Sequence, residues 1–237
     1  MKYLIHFYYK LQLYLKLPIP IFFKKFLRVY HGNKQLDKKL LKYLNFDDGF
    51  YIDIGAYDGI TQSNTFFYEK YKNWRGILIE PSKSKFLLCK KFRSKKNFFY
   101  NNACVSSRSK NKSIEMTYIN LKSFSEEIVP KNFLKKHLKK YDLLRGEKVF
   151  KYRIKTKTLS YILDNCRAPK IIDFFNLDTE GSEFEILNGI NFKKYKFKYI
   201  LIETSNFPKL KNYLYKKNFR FIKKFNYNDY LFTQKIM

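Results

Sequence analysis

The chain has 237 residues, of which 45% are hydrophobic and 20% aromatic, and this composition excludes an intrinsically disordered protein. At this length we expect one domain, alone or with an extension, with enough chain to bury a core. The formal net charge of +29 suggests an anionic partner such as nucleic acid or a membrane surface, but codon bias explains the same excess of lysine, so both explanations stay open.

The first thirty residues are apolar, aromatic and basic, and two prolines interrupt them. They contain neither an apolar stretch long enough to span a bilayer nor a signal-peptide pattern. The segment predicts either a helix packed on the domain or an interfacial anchor on an anionic membrane. We therefore assign residues 1–46 to a basic, aromatic, helical N-terminal extension, which includes a helix over 33–45. We expect a cytoplasmic protein, and the anchor would place it at the inner face of a membrane.

From residue 50 the apolar pattern alternates between strand and helix periods, which predicts an α/β fold with a mostly parallel sheet and a C-terminal antiparallel hairpin. Strands are expected at residues 50–56, 76–80, 98–105, 113–119, 149–156, 171–177, 199–203, 220–225 and 229–233. Helices are expected at residues 62–71, 83–93, 126–144, 159–165, 182–189 and 209–217. We assign 47–237 to one domain, whose polar, lysine-rich insertion at 107–150 is expected to contact substrate.

The segment from Tyr51 to Gly59 is the most informative in the chain. An apolar strand carrying Asp53 breaks into a turn of small residues, and the next apolar strand ends in Glu80, which is placed to accept hydrogen bonds from two ribose hydroxyls. The Gly-x-Gly-x-x-Gly pattern of dinucleotide sites is missing because Tyr57 interrupts it, and the acids beside the turn would repel phosphates. We infer a ligand with an adenosine and a cationic or zwitterionic arm, and S-adenosylmethionine fits this description.

Polar side chains fall at the carboxyl ends of five separate predicted strands. The carboxyl ends of parallel strands line the ligand crevice of an open α/β sheet, so we expect these side chains to meet there. They are Asp53, Glu80, Asn102, Asp178 and Glu203.

The cysteines and histidines indicate no further chemistry. Cys89, Cys104 and Cys166 lie far apart, include no Cys-x-x-Cys pair and are odd in number, which predicts neither a zinc site nor a disulfide framework and fits a reducing cytoplasm. The three histidines lie outside the strong motifs, which argues against a histidine-based triad.

The motifs together resemble the FkbM-like methyltransferases over about residues 48–235. The resemblance is carried by Asp53-Ile-Gly-Ala-Tyr-Asp-Gly59, Ile79-Glu80-Pro81, Asn102-Ala103 and Leu177-Asp-Thr-Glu-Gly-Ser-Glu183. It implies a Rossmann-like three-layer sandwich with a seven-stranded sheet. It also implies S-adenosylmethionine as cofactor and methylation of oxygen, often on sugars of glycans or natural products. The N-terminal residues and the insertion lie outside the matched motifs, so the acceptor is not transferred.

The resemblance implies roles for the residues around the methionine arm of the cofactor. Gly55, Ala56 and Gly59 would shape the loop against this arm and the adenosine. Asp53 and Asp178 would face the ammonium group, directly or through water.

Other residues are implied at the carboxylate and adenosine of the cofactor. Asn64 or Thr65, at the start of the following helix, would bind the methionine carboxylate with help from the positive end of the helix. Glu80 would accept from the ribose hydroxyls, and Asn102 with the backbone of Ala103 would contact the edge of the adenine.

A carboxylate is the expected general base, because a sugar hydroxyl is a weak nucleophile and the motifs contain no histidine. Asp178 is the first choice, Glu180 the second, and Glu203 could also reach the crevice. Mutual repulsion between these carboxylates can raise one pKa toward a useful range. The same cluster could instead hold Mg²⁺ against a diol, although we assign no metal ligand.

Three other functions compete with this interpretation. An RNA ribose methyltransferase is suggested by the charge, but no lysine lies within the strand-end motifs, and we expect no specific nucleic-acid partner. A non-catalytic, membrane-associated binding module would use the N-terminal residues 1–30 for peripheral contact with an anionic membrane. A nucleotide-sugar or nicotinamide oxidoreductase is disfavoured by the missing glycine pattern. The expected partner is therefore a sugar or glycoconjugate acceptor.

Overall fold

A computed structural model of the chain describes residues 29–119, 122–125, 127–128 and 150–235. The predictions for residues 1–28 lie outside these ranges. The helix expected at 126–144 also lies outside them, except at residues 127–128, which form a turn.

The described residues form six α-helices and eleven strands. The helices are α1 (Leu36–Leu44), α2 (Phe66–Lys72), α3 (Lys83–Phe92), α4 (Leu159–Asn165), α5 (Glu183–Leu187) and α6 (Phe207–Tyr215), and a 3-10 turn at Asn33–Gln35 precedes α1. The strands are β1 (Phe50–Ile54), β2 (Arg75–Ile79), β3 (Phe98–Tyr100), β4 (Ala103–Cys104), β5 (Ser113–Ile119), β6 (Lys122–Phe124), β7 (Phe150–Lys157), β8 (Ile171–Leu177), β9 (Lys196–Glu203), β10 (Phe219–Lys224) and β11 (Asp229–Gln234).

The main sheet has seven strands in the order β10-β11-β9-β8-β1-β2-β3. The strands from β9 to β3 are parallel, whereas β11 runs antiparallel to both β9 and β10. From β1 the chain goes to β2 and β3 on one side and later to β8 and β9 on the other. The chain order therefore reverses between β1 and β8, which is where open α/β sheets bind ligands beyond the carboxyl ends of their strands.

Helices cover both faces of the main sheet. On one face Ile52 and Ile54 of β1 lie in a core with residues of α4, α5 and α6, and on the other face Tyr51 lies in a core with residues of α1, α2 and α3. Because both faces are covered, every residue of β1 is buried and the parallel strands read as nearly continuous apolar runs. The predicted three-layer α/β sandwich with a C-terminal hairpin is confirmed.

A second sheet has the order β4-β7-β5-β6, with β5 and β6 from the insertion and β4 and most of β7 from the residues that flank it. The single strand predicted at 98–105 is wrong. It is two short strands, β3 in the main sheet and β4 in the second sheet, and Asn101 and Asn102 between them redirect the chain. Asn101 donates its amide to the carbonyls of Glu80 and Pro81, at 2.8 and 2.9 Å, which fixes this change of direction.

The helix predicted from residue 62 begins only at Phe66. The preceding residues belong to the loop after β1, in which Tyr57 and Gln62 adopt positive φ angles that a helix does not allow.

The α1 helix packs into the same core as the sheet, because Leu36, Leu40 and Leu44 are at most 1% exposed. The boundary at residue 46 stays a prediction. Within the described ranges, no helix combines the length and the apolarity needed to cross a bilayer.

Candidate functional site

A cavity of about 320 Å³ lies at the carboxyl edge of the main sheet, at the reversal between β1 and β8. Its volume is within the usual range for small-molecule sites. Its described lining comes from the loop after β1, from the residues that follow β2, β3 and β8, from the end of β9, and from the second sheet.

Most of the predicted site residues line this cavity together. They are Asp53, Gly55, Ala56, Asn64, Glu80, Asn102, Ala103, Asp178, Glu180 and Glu203. Gly59 and Thr65 are not among the lining residues. Both are tied to the site indirectly, since Arg93 donates to the Gly59 carbonyl and the Thr65 hydroxyl donates to Asp53. The ligand contacts of all these residues remain proposals.

The loop after β1 requires glycine at position 55. Gly55 has a φ of +83°, and a Cβ atom there would lie 2.0 Å from the carbonyl oxygen of Asp178. The backbone N–H groups of Gly55 and Ala56 both donate to the Ile79 carbonyl, at 3.0 and 3.2 Å. The loop is therefore fixed against both neighbouring strands, and a side chain at Gly55 would force them apart.

Glu80 is held in place by backbone donors. Tyr57 N–H donates to Oε2 at 2.9 Å and Ser82 N–H donates to Oε1 at 2.8 Å, and the residue is only 5% exposed. Burial raises the pKa of Glu80 to about 7, against the lowering effect of the two backbone N–H groups and of Lys85. Each carboxylate oxygen retains a lone pair, so Glu80 can accept two further hydrogen bonds.

Asp53 begins a chain of side-chain hydrogen bonds with a fixed direction. Thr65 Oγ1 donates to Asp53 Oδ2 at 2.5 Å, and Asn176 Nδ2 donates to Asp53 Oδ1 at 2.8 Å. Burial raises the pKa of Asp53, whereas Arg93 and these two donors lower it. A carboxylate only accepts hydrogen bonds, so Asn176 must turn its amide nitrogen toward Asp53 and its oxygen toward Asn64.

This direction determines what Asn64 offers to a ligand. Asn64 Nδ2 donates to Asn176 Oδ1 at 3.1 Å. Asn64 Oδ1 has no hydrogen-bond partner in the described part of the chain, even though the residue is buried, with only 8% of its surface exposed. A buried, unpaired acceptor is costly unless a ligand supplies a donor. The free atom of Asn64 therefore suits an N–H group.

The carboxyl groups of Asp178 and Glu203 lie together in the cavity, where β8 and β9 end side by side. Burial raises the pKa of Asp178 well above its usual range, and the charges of Glu203, Glu180 and Asp229 raise it further. A hydrogen bond between the carboxyl groups of Asp178 and Glu203 acts in the same direction. Burial and the neighbouring carboxylates therefore both favour the protonated form of Asp178.

The turn after Asp178 is shaped by Glu183. Glu180 and Gly181 adopt positive φ angles of 52° and 102°, and Glu183 Oε1 accepts the Gly181 N–H at 2.7 Å. Glu183 is 4% exposed, and burial raises its pKa to about 7. Glu183 does not line the cavity, so it supports the turn that presents Glu180.

The described lining of the cavity has a charge opposite to that of the chain. Five carboxyl side chains line it, whereas no lysine, arginine or histidine of the described residues does, in a chain with 49 basic and 20 acidic residues. The described residues include no group of three or more acidic, cysteine or histidine side chains with the geometry of a metal site, so we derive no step through Mg²⁺.

Sequence reasoning missed several residues of the site. Asn176 lies inside a buried apolar strand, where one asparagine was the only signal. Arg93 lies at the end of the lysine-rich helix α3, where nothing in the local pattern distinguishes it from the neighbouring basic residues. Ile114, Met116 and Ile128 line the cavity from the insertion, and their position could not be inferred from periodicity.

Comparisons with known proteins agree with this architecture. The family model described as "Methyltransferase FkbM domain" matches residues 53–228. A search of curated proteins found no significant match.

Several solved structures resemble the chain at low identity. A methyltransferase FkbM from Methylobacillus flagellatus KT is 16% identical, with a TM-score of 0.45, over 79% of this chain and 44% of that one. A precorrin-6y C5,15-methyltransferase from Geobacter metallireducens GS-15 is 13% identical, with a TM-score of 0.39, over 84% of this chain and 87% of that one. M. capricolum TrmK, solved in complex with S-adenosyl-homocysteine, is 12% identical, with a TM-score of 0.39, over 84% and 65% of the two chains.

At these identities none of the solved structures transfers a substrate or a residue role. The family model alone carries the assignment, since it covers most of the chain and includes both the loop after β1 and the acidic turn after β8. The chain therefore belongs to the FkbM methyltransferase domain family.

Proposed function

We propose that the chain transfers the methyl group of S-adenosylmethionine to a hydroxyl of a sugar in a glycan or glycoconjugate. The observation that carries the proposal is the acidic lining of the cavity in a strongly basic chain. A donor with a sulfonium and an ammonium group is attracted to such a lining, whereas a dinucleotide pyrophosphate is repelled by it.

Glu80 and Asn102 mark the adenosine end of the cavity. The two remaining lone pairs of Glu80 would accept the ribose hydroxyls. Asn102 donates its amide nitrogen to the Lys155 carbonyl at 3.1 Å, which leaves its oxygen to accept from the exocyclic amine of adenine.

Asp53, Asn64 and Asp178 mark the methionine end. The Thr65 hydroxyl already donates to Asp53, and one of the two N–H groups of Asn64 donates to Asn176, whereas Asn64 Oδ1 has no hydrogen-bond partner among the described residues and can only accept. We therefore assign Asn64 Oδ1 to the ammonium group rather than to the carboxylate. Asp53 contributes the negative charge behind it.

The Asp178–Glu203 pair is the proposed general base. When bound, S-adenosylmethionine supplies a methyl group activated by the sulfonium. The residues of the cavity hold the acceptor hydroxyl in line with that methyl carbon, and Asp178 accepts the hydroxyl proton. A carboxylate whose pKa is raised is a stronger base than an exposed one, and such proton transfer is typically worth about 10²–10⁴ in rate.

A neutral sugar hydroxyl fits the acidic lining better than RNA does. The negatively charged phosphodiester backbone of RNA would be repelled by this cavity, because its described lining carries five carboxyl groups and no basic residue. Filter binding to RNA over a salt series distinguishes the two acceptors, because RNA binding through lysine falls steeply with salt.

The proposal is tested by assaying methyl transfer from S-adenosylmethionine to a panel of glycans and glycolipids. In Asp178→Asn we expect turnover to fall by about 10² or more, because the general base is lost. The matched control is Asp173→Asn, which changes an acid on the same strand β8 that accepts the Phe50 N–H far from the cavity.

Circular dichroism and thermal unfolding establish that both variants are folded. A folded Asp178→Asn enzyme with wild-type turnover would contradict the role of Asp178. Methylation of RNA but of no glycan in the panel would contradict the proposed acceptor.

A further inference from the structure

We propose that Arg93 is a positioning residue that holds the loop after β1 and the Asp53 carboxylate in the geometry that binds the methionine arm of the donor. This inference rests on the proposed function. Arg93 lies at the end of α3, does not line the cavity and is 3% exposed.

All five N–H groups of the Arg93 guanidinium are used within the protein. Nε donates to Glu69 Oε2 at 2.7 Å. Nη1 donates to the Gly59 carbonyl at 3.0 Å and to Ser63 Oγ at 3.3 Å. Nη2 donates to the Tyr51 hydroxyl at 2.7 Å and to Thr65 Oγ1 at 3.1 Å. The planar fork therefore joins β1, both ends of the segment 59–65 and the start of α2.

The contact with Thr65 extends to the cavity. Thr65 Oγ1 accepts from Arg93 and donates to Asp53 Oδ2, so the guanidinium fixes the position of the hydroxyl that fixes the carboxylate. The loop also packs against the stem of Arg93, since a Cβ atom at Gly59 would lie 2.8 Å from its Cγ.

A role in neutralising Glu69 alone would not require this arrangement. One N–H group is enough to pair with Glu69, whose other oxygen accepts the Ser94 N–H at 2.8 Å. The other four N–H groups point to Gly59, Ser63, Tyr51 and Thr65, on the side of the loop. A lysine would keep the charge but not the planar fork with its five donors.

Arg93 acts on one end of the cavity only. None of its hydrogen bonds reaches Glu80, which is held by the backbone N–H groups of Tyr57 and Ser82. Loss of the Arg93 contacts should therefore weaken ligands that carry the methionine arm and spare ligands that consist of the adenosine part alone.

The test compares two probes, S-adenosylhomocysteine and 5′-methylthioadenosine, by calorimetry on the full chain. The second probe keeps the adenosine and the thioether but lacks the amino-acid arm. In Arg93→Lys we expect the Kd of S-adenosylhomocysteine to rise by about tenfold or more, since a charge-assisted contact is lost. The Kd of 5′-methylthioadenosine should change by less than about twofold, because the contacts of Glu80 remain.

Two further variants separate positioning from stability. Thr65→Val removes the hydrogen bond to Asp53 and leaves the Arg93–Glu69 pair intact. It should also weaken binding of S-adenosylhomocysteine but not of 5′-methylthioadenosine, and it tests the inference even if Arg93→Lys does not fold. Leu163→Val, in the core on the opposite face of the sheet, is the control for a general loss of stability and should leave both Kd values unchanged.

An unchanged Kd of S-adenosylhomocysteine in the folded variants would overturn the inference. Equal weakening of both probes would also overturn it, since that result indicates a structural role alone. If the wild-type protein binds neither probe, the proposed function itself fails, and this outcome is distinct from the other two.

Discussion

Ionisation of Glu80 should make donor binding depend on pH near neutrality. Burial raises the pKa of this carboxyl from 4.5 to about 7 in the unliganded protein. Only the ionised form offers both oxygens to the ribose hydroxyls, because a protonated carboxyl turns one oxygen into a donor. The affinity for S-adenosylhomocysteine should therefore rise with pH and level off above the pKa.

The size of the effect follows from the fraction of Glu80 that is ionised. With a pKa of about 7, roughly one molecule in eleven is ionised at pH 6 and roughly ten in eleven at pH 8. If only the ionised form binds, the Kd falls about tenfold between these two pH values, which corresponds to about 1.4 kcal/mol.

The same shift has the opposite sign for the stability of the unliganded protein. The folded state holds a proton on Glu80 between pH 4.5 and about 7 that the unfolded state has released. Stability from this group is therefore complete below pH 4.5 and is lost as pH rises through 7, by up to about 3 kcal/mol. Binding of the methyl donor restores this stability, because the ligand gives the ionised Glu80 carboxylate hydrogen-bond donors.

Calorimetry with S-adenosylhomocysteine from pH 6 to pH 8 measures the effect on binding. Glu80→Gln should bind more weakly at pH 8 and lose the tenfold dependence. Glu183→Gln is the matched control, because Glu183 is equally buried and has a pKa of about 7 but does not line the cavity. A flat wild-type profile, or a Glu80→Gln profile as steep as that of the wild type, would refute the reasoning.

Two further variants test the fold around the site. Gly55→Ala should lose about 1–3 kcal/mol of stability and most of its affinity for S-adenosylhomocysteine, because φ is +83° and the new Cβ would meet the Asp178 carbonyl at 2.0 Å. Denaturant unfolding and calorimetry measure both, and wild-type values would show that the loop can relax. Leu40→Ala should cost about 2–5 kcal/mol in denaturant unfolding, because this side chain is fully buried in the core. A cost well below that range would indicate that α1 belongs to a separable extension.

The sequence determined the elements of this fold with good accuracy wherever periodicity is strong. The strand Ile171–Leu177 and the helix near Leu159–Asn165 were both predicted, because an apolar run and a 3.6-residue pattern each encode their own burial. The polar residues at the carboxyl ends of β1, β2 and β8 were also predictable, because parallel strands all present these ends at one edge of the sheet.

Tertiary structure decided which distant residues share a contact. The pairing of Asp178 with Glu203 depends on β8 and β9 being neighbours. The series of hydrogen bonds from Asp53 through Asn176 to Asn64 joins two strands and a loop. The division of residues 98–105 between two sheets depends in the same way on partners far along the chain.

Arg93 shows the physical reason most clearly. Its local sequence is that of an exposed basic helix end, and only the packing of α3 against the loop after β1 removes it from water and gives each of its N–H groups an acceptor. Local sequence encodes backbone propensity and the apolar face of each element. Burial and pKa depend on the neighbours that the sheet order brings together, and no short segment contains that information.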